Sequence, residues 1–298
     1  MFRHDFFEKD GIRLHYAANG SGRLILFAHG FPEFWYSWKN QLEEFGKTHL
    51  AVAPDLRGYN LSSKPSRVQE YTIAALVGDL LGLAQHLGYQ KFTLVGHDWG
   101  GALAWALAMA HPERIEKLVI INAPHPAIFA RELKNSWAQR RASWYMLLFQ
   151  MPLAEKLLRF NGYSALIRSA LRDGLKQNYF NERDRQAYLE AWSQPGALTG
   201  GLNYYRALPL KNLLGKKRLQ IPGLGVDSLQ VRVPTLVLWG EKDSYLLPGN
   251  LDGLEKFVPD LTVRRFPEAS HWVIHEQPAR INSAIRDFLE DHKPFRSI

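Results

Sequence analysis

Apolar positions fall into two alternating patterns along the chain. Short apolar runs at Arg23–Ala28, His49–Ala53, Phe92–Val95, Ile115–Ile121, Pro234–Trp239 and Leu261–Phe266 predict strands. Phe6-Phe7 and Ile12–Tyr16 predict two more, joined by a turn at Asp10-Gly11. Between these runs, helical spacing appears over Trp38–Phe45, Tyr71–Leu87 and Ala102–Ala110, and a last helix is expected from Pro278 to Glu290. Strands alternating with helices predict a mostly parallel, doubly wound α/β sheet, whose ligand site lies at the C-terminal strand ends. From about Ala127 to Arg232 the pattern changes to helix and loop without a clear strand. Joins are expected at Gln194-Pro195-Gly196 and Ile221-Pro222-Gly223. This segment reads as a helical cap, so the expected organisation is core 1–126, cap 127–232 and core 233–298.

Composition narrows the function classes. The net charge is +8, but the basic residues are scattered, with only short clusters such as Lys216-Lys217-Arg218 and Arg264-Arg265. No basic stripe interleaves with aromatics, so no nucleic-acid partner is expected. The chain has no Cys, which excludes disulfides and thiolate metal sites. No His pair has convincing spacing with carboxylates, so no catalytic metal is expected. The first eleven residues carry charges and no apolar leader, and the most apolar helix is too short to cross a bilayer. The expectation is a soluble cytoplasmic protein without a membrane span, monomeric or homodimeric.

The chemistry centres on Phe92–Gly101, FTLVGHDWGG. A buried strand, a sharp glycine-rich turn and a small-residue helix make the nucleophile elbow of α/β-hydrolases, with Asp98 where Ser usually stands. A Ser attacking a saturated carbon would form a dead-end ether. A carboxylate forms an ester, which water can cleave at the carbonyl carbon. An elbow Asp therefore points to displacement at an sp3 carbon, either epoxide opening or carbon–halogen cleavage. The plainer alternative is that Asp98 only caps the following helix.

Three further segments fit an active site. His29-Gly30-Phe31-Pro32-Glu33 follows a strand and has the makings of a loop with a cis bond before Pro32. In the elbow fold this loop and the residue after the nucleophile supply the oxyanion hole, here the backbone N–H groups of Phe31 and Trp99. The chain order nucleophile, acid, His then selects Asp243 and His271. His271 would activate water and Asp243 would orient it. Asn122 occupies the other position where an acid could stand, and it cannot carry the charge. His29 and His97 read as structural, and His275 as a weaker base candidate.

With these pieces in place, the chain resembles an α/β-hydrolase-fold epoxide hydrolase over essentially its full length. The resemblance rests on His29-Gly30-Phe31-Pro32, Asp55-Leu56-Arg57-Gly58-Tyr59, Gly96–Gly101, Gly240-Glu241-Lys242-Asp243 and Ser270-His271-Trp272. The first three also occur in related dehalogenases. The resemblance further implies two cap tyrosines that hold the epoxide oxygen. Tyr145 precedes Phe149-Gln150-Met151-Pro152, and Tyr205 lies in Leu202-Asn203-Tyr204-Tyr205-Arg206. Packing within the cap is the ordinary alternative for both. Two positions depart from the family pattern: Asn60 and Leu153 stand where glycine is usual, and Asn tolerates left-handed backbone.

The resemblance implies a two-step hydrolysis of apolar epoxides by an Asp98 ester and water, without a cofactor. Haloalkane or haloacetate dehalogenation is the nearest rival. There Trp99 and a cap Trp (Trp137, Trp144 or Trp192) would bind halide. Against it, Trp99 and Ala102 stand where fluoroacetate dehalogenases place a carboxylate-binding Arg, and Phe31 stands where some haloalkane dehalogenases have Asn. A non-catalytic small-molecule receptor is a second alternative.

Overall fold

The computed structural model describes residues 2–208 and 229–290. The join expected at Ile221-Pro222-Gly223 and the Lys216-Lys217-Arg218 cluster lie outside the described residues. Eight strands form one sheet: β1 (Arg3–Lys9), β2 (Ile12–Asn19), β3 (Leu24–Ala28), β4 (Leu50–Pro54), β5 (Phe92–His97), β6 (Ile115–Ile121), β7 (Thr235–Gly240) and β8 (Leu261–Phe266). Their order is β1-β2-β4-β3-β5-β6-β7-β8. The pairs β1/β2 and β2/β4 are antiparallel and all later pairs are parallel. The parallel strands read as unbroken apolar runs because both faces are covered: every residue of β3, β5 and β7 is buried.

Helices α1 (Lys39–Phe45), α2 (Ile73–His86) and α3 (Trp99–Ala110) cross between strands. The sequence pattern ran α1 and α2 longer at their starts. A 3-10 turn, Trp35–Trp38, precedes α1. Another 3-10 turn, Val68–Tyr71, precedes α2, whose true start is set by Thr72, its side chain accepting from the Ala75 N–H. Helix α3 lies in the core, with Leu103, Ala104, Trp105 and Leu107 fully buried. It is apolar on every side, as a helix packed between the sheet and α2 must be.

Between β6 and β7 the described residues contain helices and no strand. They are α4 (Pro126–Asn135), α5 (Trp137–Ala142), α6 (Tyr145–Leu148), α7 (Ala154–Leu166), α8 (Arg172–Lys176), α9 (Glu182–Ser193) and α10 (Ala197–Arg206). Non-helical backbone breaks α7 at Phe160, Asn161, Gly162 and Tyr163, the last three at positive φ. A short α11 (Val273–Glu276) and the long α12 (Pro278–Glu290) complete the described chain.

Polar bonds pin these inserted helices to the loops at the C-terminal strand ends. Trp192 Nε1 donates to the Pro32 carbonyl at 2.6 Å, and the Tyr204 hydroxyl donates to the Arg57 carbonyl at 2.8 Å. Gln139 donates to the Tyr245 carbonyl at 2.8 Å and accepts from the Leu247 N–H at 3.0 Å. All are buried or nearly so, where an unmade bond costs about 1–3 kcal/mol, so they fix where the helices sit over the sheet.

Candidate active site

The turn from β5 into α3 holds Asp98 at φ 51° and ψ −119°, a conformation few side chains adopt. Glycines make the turn possible. A Cβ on Gly100 would overlap the Ala28 carbonyl, and one on Gly96 would overlap the Gly100 carbonyl. Strain of this kind costs about 1–3 kcal/mol. Full burial of Phe92, Leu94 and Val95 on β5 returns about 1.5–3 kcal/mol each, so the adjoining core outweighs it. The helix-cap alternative fails at this residue, because the Asp98 side chain makes no capping bond. Its Oδ1 instead accepts from the Phe31 N–H at 2.8 Å, and the Phe31–Pro32 peptide is cis. Trp99 opens α3, so its N–H has no acceptor within the helix.

Four other strand ends converge on this turn. His271, after β8, lies with Nε2 3.7 Å from Asp98 Oδ2. Its Nδ1 is 2.7 Å from Oδ2 of Asp243, after β7. Asp243 is 3% exposed, and its charge is fully hydrogen-bonded: Oδ1 accepts from the N–H groups of Tyr245 (2.8 Å) and Leu246 (2.9 Å), and Oδ2 from Asn122 Nδ2 (2.7 Å). Asn122, after β6, also accepts from the Gly240 N–H at 2.8 Å. It therefore supports the acid from the position where an acid could itself have stood.

Electrostatics set the resting state of His271. Burial alone would push its pKa down, but the Asp243 carboxylate, by charge and hydrogen bond, and then the Asp98 and Glu33 charges raise it to about 9. The imidazole is thus charged at neutral pH while Asp98 is ionised. Its raised value gives the fold stability that is complete below its ordinary 6.5 and is lost as pH rises through about 9. Neutralising Asp98 takes away one of the charges that hold the proton. Asp98→Asn should therefore bring the His271 pKa below about 9, read as an NMR titration of the ring. An unchanged midpoint would mean that Asp98 does not govern it.

The inserted helices bring Tyr145 and Tyr205 to the same place. The Tyr205 ring stands edge-on to Trp99 at 5.1 Å and to Phe31 at 5.6 Å, and Tyr145 lies 6.0 Å from Tyr205. Gln150 Nε2 anchors α10 here by donating to the Tyr205 carbonyl at 2.7 Å. Burial, then the negative charge of Asp98, pushes both phenols well above 10, so both keep their protons at neutral pH. Tyr204 is absent from the cavity lining, and its hydroxyl is committed to the Arg57 carbonyl. A cavity of about 200 Å³ connects these groups. Asp98, His271, Tyr145, Tyr205 and Tyr245 line it, with Phe31, Leu148 and Phe149 among its apolar walls.

A buried network behind His271 went unrecognised in the sequence. Glu33 accepts from His275 Nε2 at 2.5 Å and from the Tyr188 hydroxyl at 3.1 Å, and lies 3.2 Å from His97 Nδ1. His97 Nε2 in turn donates to the His271 carbonyl at 2.9 Å. Burial alone would raise the Glu33 carboxyl, but the two histidines hold it well below its ordinary range. This removes His275 as a rival base, since its ring is committed to Glu33. The available signal was an acid directly after the Gly-x-Pro turn, inside the aromatic stretch Phe31–Trp35. Tyr245, which lines the cavity and bonds Ser169 Oγ through its hydroxyl at 2.8 Å, was also missed.

Two of the three candidate second donors for halide are removed. Trp192 Nε1 is spent on the Pro32 carbonyl, and Trp137 is 71% exposed and outside the cavity wall, which leaves Trp144. Among the described residues no group of three or more His, Cys, Asp or Glu is placed to hold a metal ion. Nor is any described helix long and apolar enough to cross a membrane.

Comparisons with known proteins give the family. A family model for the alpha/beta hydrolase fold matches residues 23–278. Epoxide hydrolase 3 of Xenopus tropicalis is 40% identical over 94% of this chain and 76% of its own. The AB hydrolase superfamily protein YfhM of Bacillus subtilis is 40% identical over 96% of this chain and 97% of its own. Among solved structures, Bacillus megaterium epoxide hydrolase in complex with an inhibitor superposes with a TM-score of 0.90. It is 38% identical and the match covers 96% of this chain and 100% of that one.

Proposed function

This chain belongs to the epoxide hydrolases of the α/β-hydrolase fold, and from that premise we propose that it converts apolar epoxides to vicinal diols through an ester on Asp98. The observation that carries the proposal is an elbow carboxylate facing two protonated tyrosines across one cavity, with an Asp-paired His within 3.7 Å.

In the first step the two phenols hold the epoxide oxygen and Asp98 Oδ2 attacks a ring carbon from the opposite side. The new carbon–oxygen bond forms as the ring bond breaks, and the freed oxygen takes a proton from one tyrosine. The Asp98 charge is now gone, so the His271 pKa falls. The proton that His271 releases replaces, by way of solvent, the one the tyrosine lost.

In the second step neutral His271, held by Asp243, takes a proton from water as that water attacks the ester carbon of Asp98. Oδ1 becomes the tetrahedral oxyanion. The Phe31 N–H already points at it, and the unpaired N–H of Trp99 is the second donor. Collapse breaks the bond to Oδ2, the leaving oxygen takes the second proton of the added water to give the diol, and the Asp98 carboxylate and charged His271 are restored. No step calls for a cofactor. The apolar walls and modest volume favour uncharged aryl or alkyl epoxides.

The test is a panel of an aryl epoxide, an alkyl epoxide, a chloroalkane and fluoroacetate, with diol and free halide both quantified. Diol without halide is expected. Halide without diol would move the reaction to dehalogenation and return Tyr145 and Tyr205 to packing roles.

A further inference from the structure

Among the described residues nine large apolar side chains are exposed, and seven of them fall between Trp137 and Phe160. Singly exposed apolar residues are ordinary, but a cluster of this density marks an interaction surface. The seven fall in two groups along the chain. Trp137 opens α5, Trp144 and Met151 flank α6, and Leu147 lies within α6. Leu153, Leu157 and Phe160 follow at four- and three-residue intervals from the N-cap of α7 to its break. Phe160 is 71% exposed where the α7 backbone breaks.

The charge around this surface has one sign. Lys134, Arg140, Arg141, Lys156, Arg159 and Arg168 are all exposed. From Trp137 to Arg168 the one acid is Glu155, and it is neutralised by Arg206 at 2.6 Å. Arg140 lies 5.6 Å from the Trp137 ring, which sets a cation beside an aromatic at the edge of the apolar patch. Exposed aromatic and aliphatic side chains rimmed by Lys and Arg form the composition of a helix that rests in a lipid headgroup layer. A second copy of the chain fits poorly, because a two-fold contact would press this basic rim against itself.

We propose that α5, α6 and the first half of α7 form a docking surface for an anionic phospholipid bilayer, peripheral and without a membrane span. The surface adjoins the active-site cavity. Trp144 is 61% exposed and also lines the cavity, and Leu148 and Leu158 of the same helices line its wall. Docking would therefore bring the bilayer beside the wall of the cavity.

The test uses the whole protein without substrate, so it stands apart from the reading of the active site. Cosedimentation is measured with phosphatidylcholine vesicles, with and without phosphatidylglycerol. Binding is expected with phosphatidylglycerol and is expected to weaken with salt. The triple variant Leu147→Ser, Leu157→Ser, Phe160→Ser should bind at least about tenfold more weakly. Arg141→Glu with Arg159→Glu should abolish the preference for phosphatidylglycerol. None of these residues lines the cavity, so diol production from a water-soluble epoxide should stay within about twofold of the parent and serves as the folding control. Wild-type protein that stays in the supernatant with phosphatidylglycerol vesicles would overturn the proposal. So would a triple variant that binds as the parent does, or a dimer by sedimentation velocity that the triple variant dissociates.

Discussion

His271→Gln should halt the enzyme after the first chemical step, with one equivalent of substrate attached to Asp98. Ring opening needs the Asp98 carboxylate and the phenols but no base. Ester hydrolysis needs a group that removes a proton from water. Gln is close in size and can still meet the Asp243 carboxylate, yet it cannot accept that proton. A positioned general base contributes about 10² to 10⁴ in rate, so steady turnover should fall about 10³-fold while the first turnover remains fast. Intact-protein mass spectrometry after mixing with an aryl epoxide should show a gain equal to one substrate. Full turnover by the variant would remove His271 from the role.

The second large effect belongs to the cap phenols. Tyr145→Phe together with Tyr205→Phe keeps every ring contact with Phe31, Trp99 and Phe149 and removes only the two hydroxyls. The oxygen leaving a strained ring would then develop its charge without the two donors that hold it, in a largely apolar cavity. At about 10² per donor, ring opening should slow about 10⁴-fold, or about 5.5 kcal/mol in barrier. Each single change should cost less than half of that, because the remaining phenol still donates. The rate is best read as ester formation in the His271→Gln background, where hydrolysis does not intervene. Tyr204→Phe is the matched control. It loses the bond to the Arg57 carbonyl and about 1 kcal/mol of stability, while ring opening should continue. Equal rates in the double variant and its parent would return both tyrosines to cap packing.

Much of the molecule was legible in the sequence because its signals are local. The eight strands were visible as apolar runs, and β6 and β8 matched to the residue. The elbow needs its glycines for close approach, so it carries its geometry in its composition. The proposal of Asp98 as nucleophile rests on that elbow pattern together with the chemistry of an ester that water can cleave. The cap was harder. Its described helices are divided by contacts with the core, such as Trp192 to Pro32 and Gln139 to Tyr245, which hydrophobic period does not record. The support of the acid was harder still. Asn122 was read for what it could not do as an acid, and its donation to Asp243 appears only when β6 and β7 lie side by side. Glu33, His97 and His275 are separated by up to 242 positions, and burial hides their charge from any surface argument.

The covalent role of Asp98 is the central claim, and the source of the diol oxygen tests it most directly. The wild-type enzyme, in molar excess over an epoxide, is allowed a single turnover in oxygen-18 water. The diol and the peptide containing Asp98 are then analysed by mass spectrometry. The ester mechanism predicts an unlabelled diol, because its new oxygen comes from the carboxylate, and one oxygen-18 atom in Asp98. A labelled diol with Asp98 unlabelled would mean that water attacks the epoxide directly and that no ester forms.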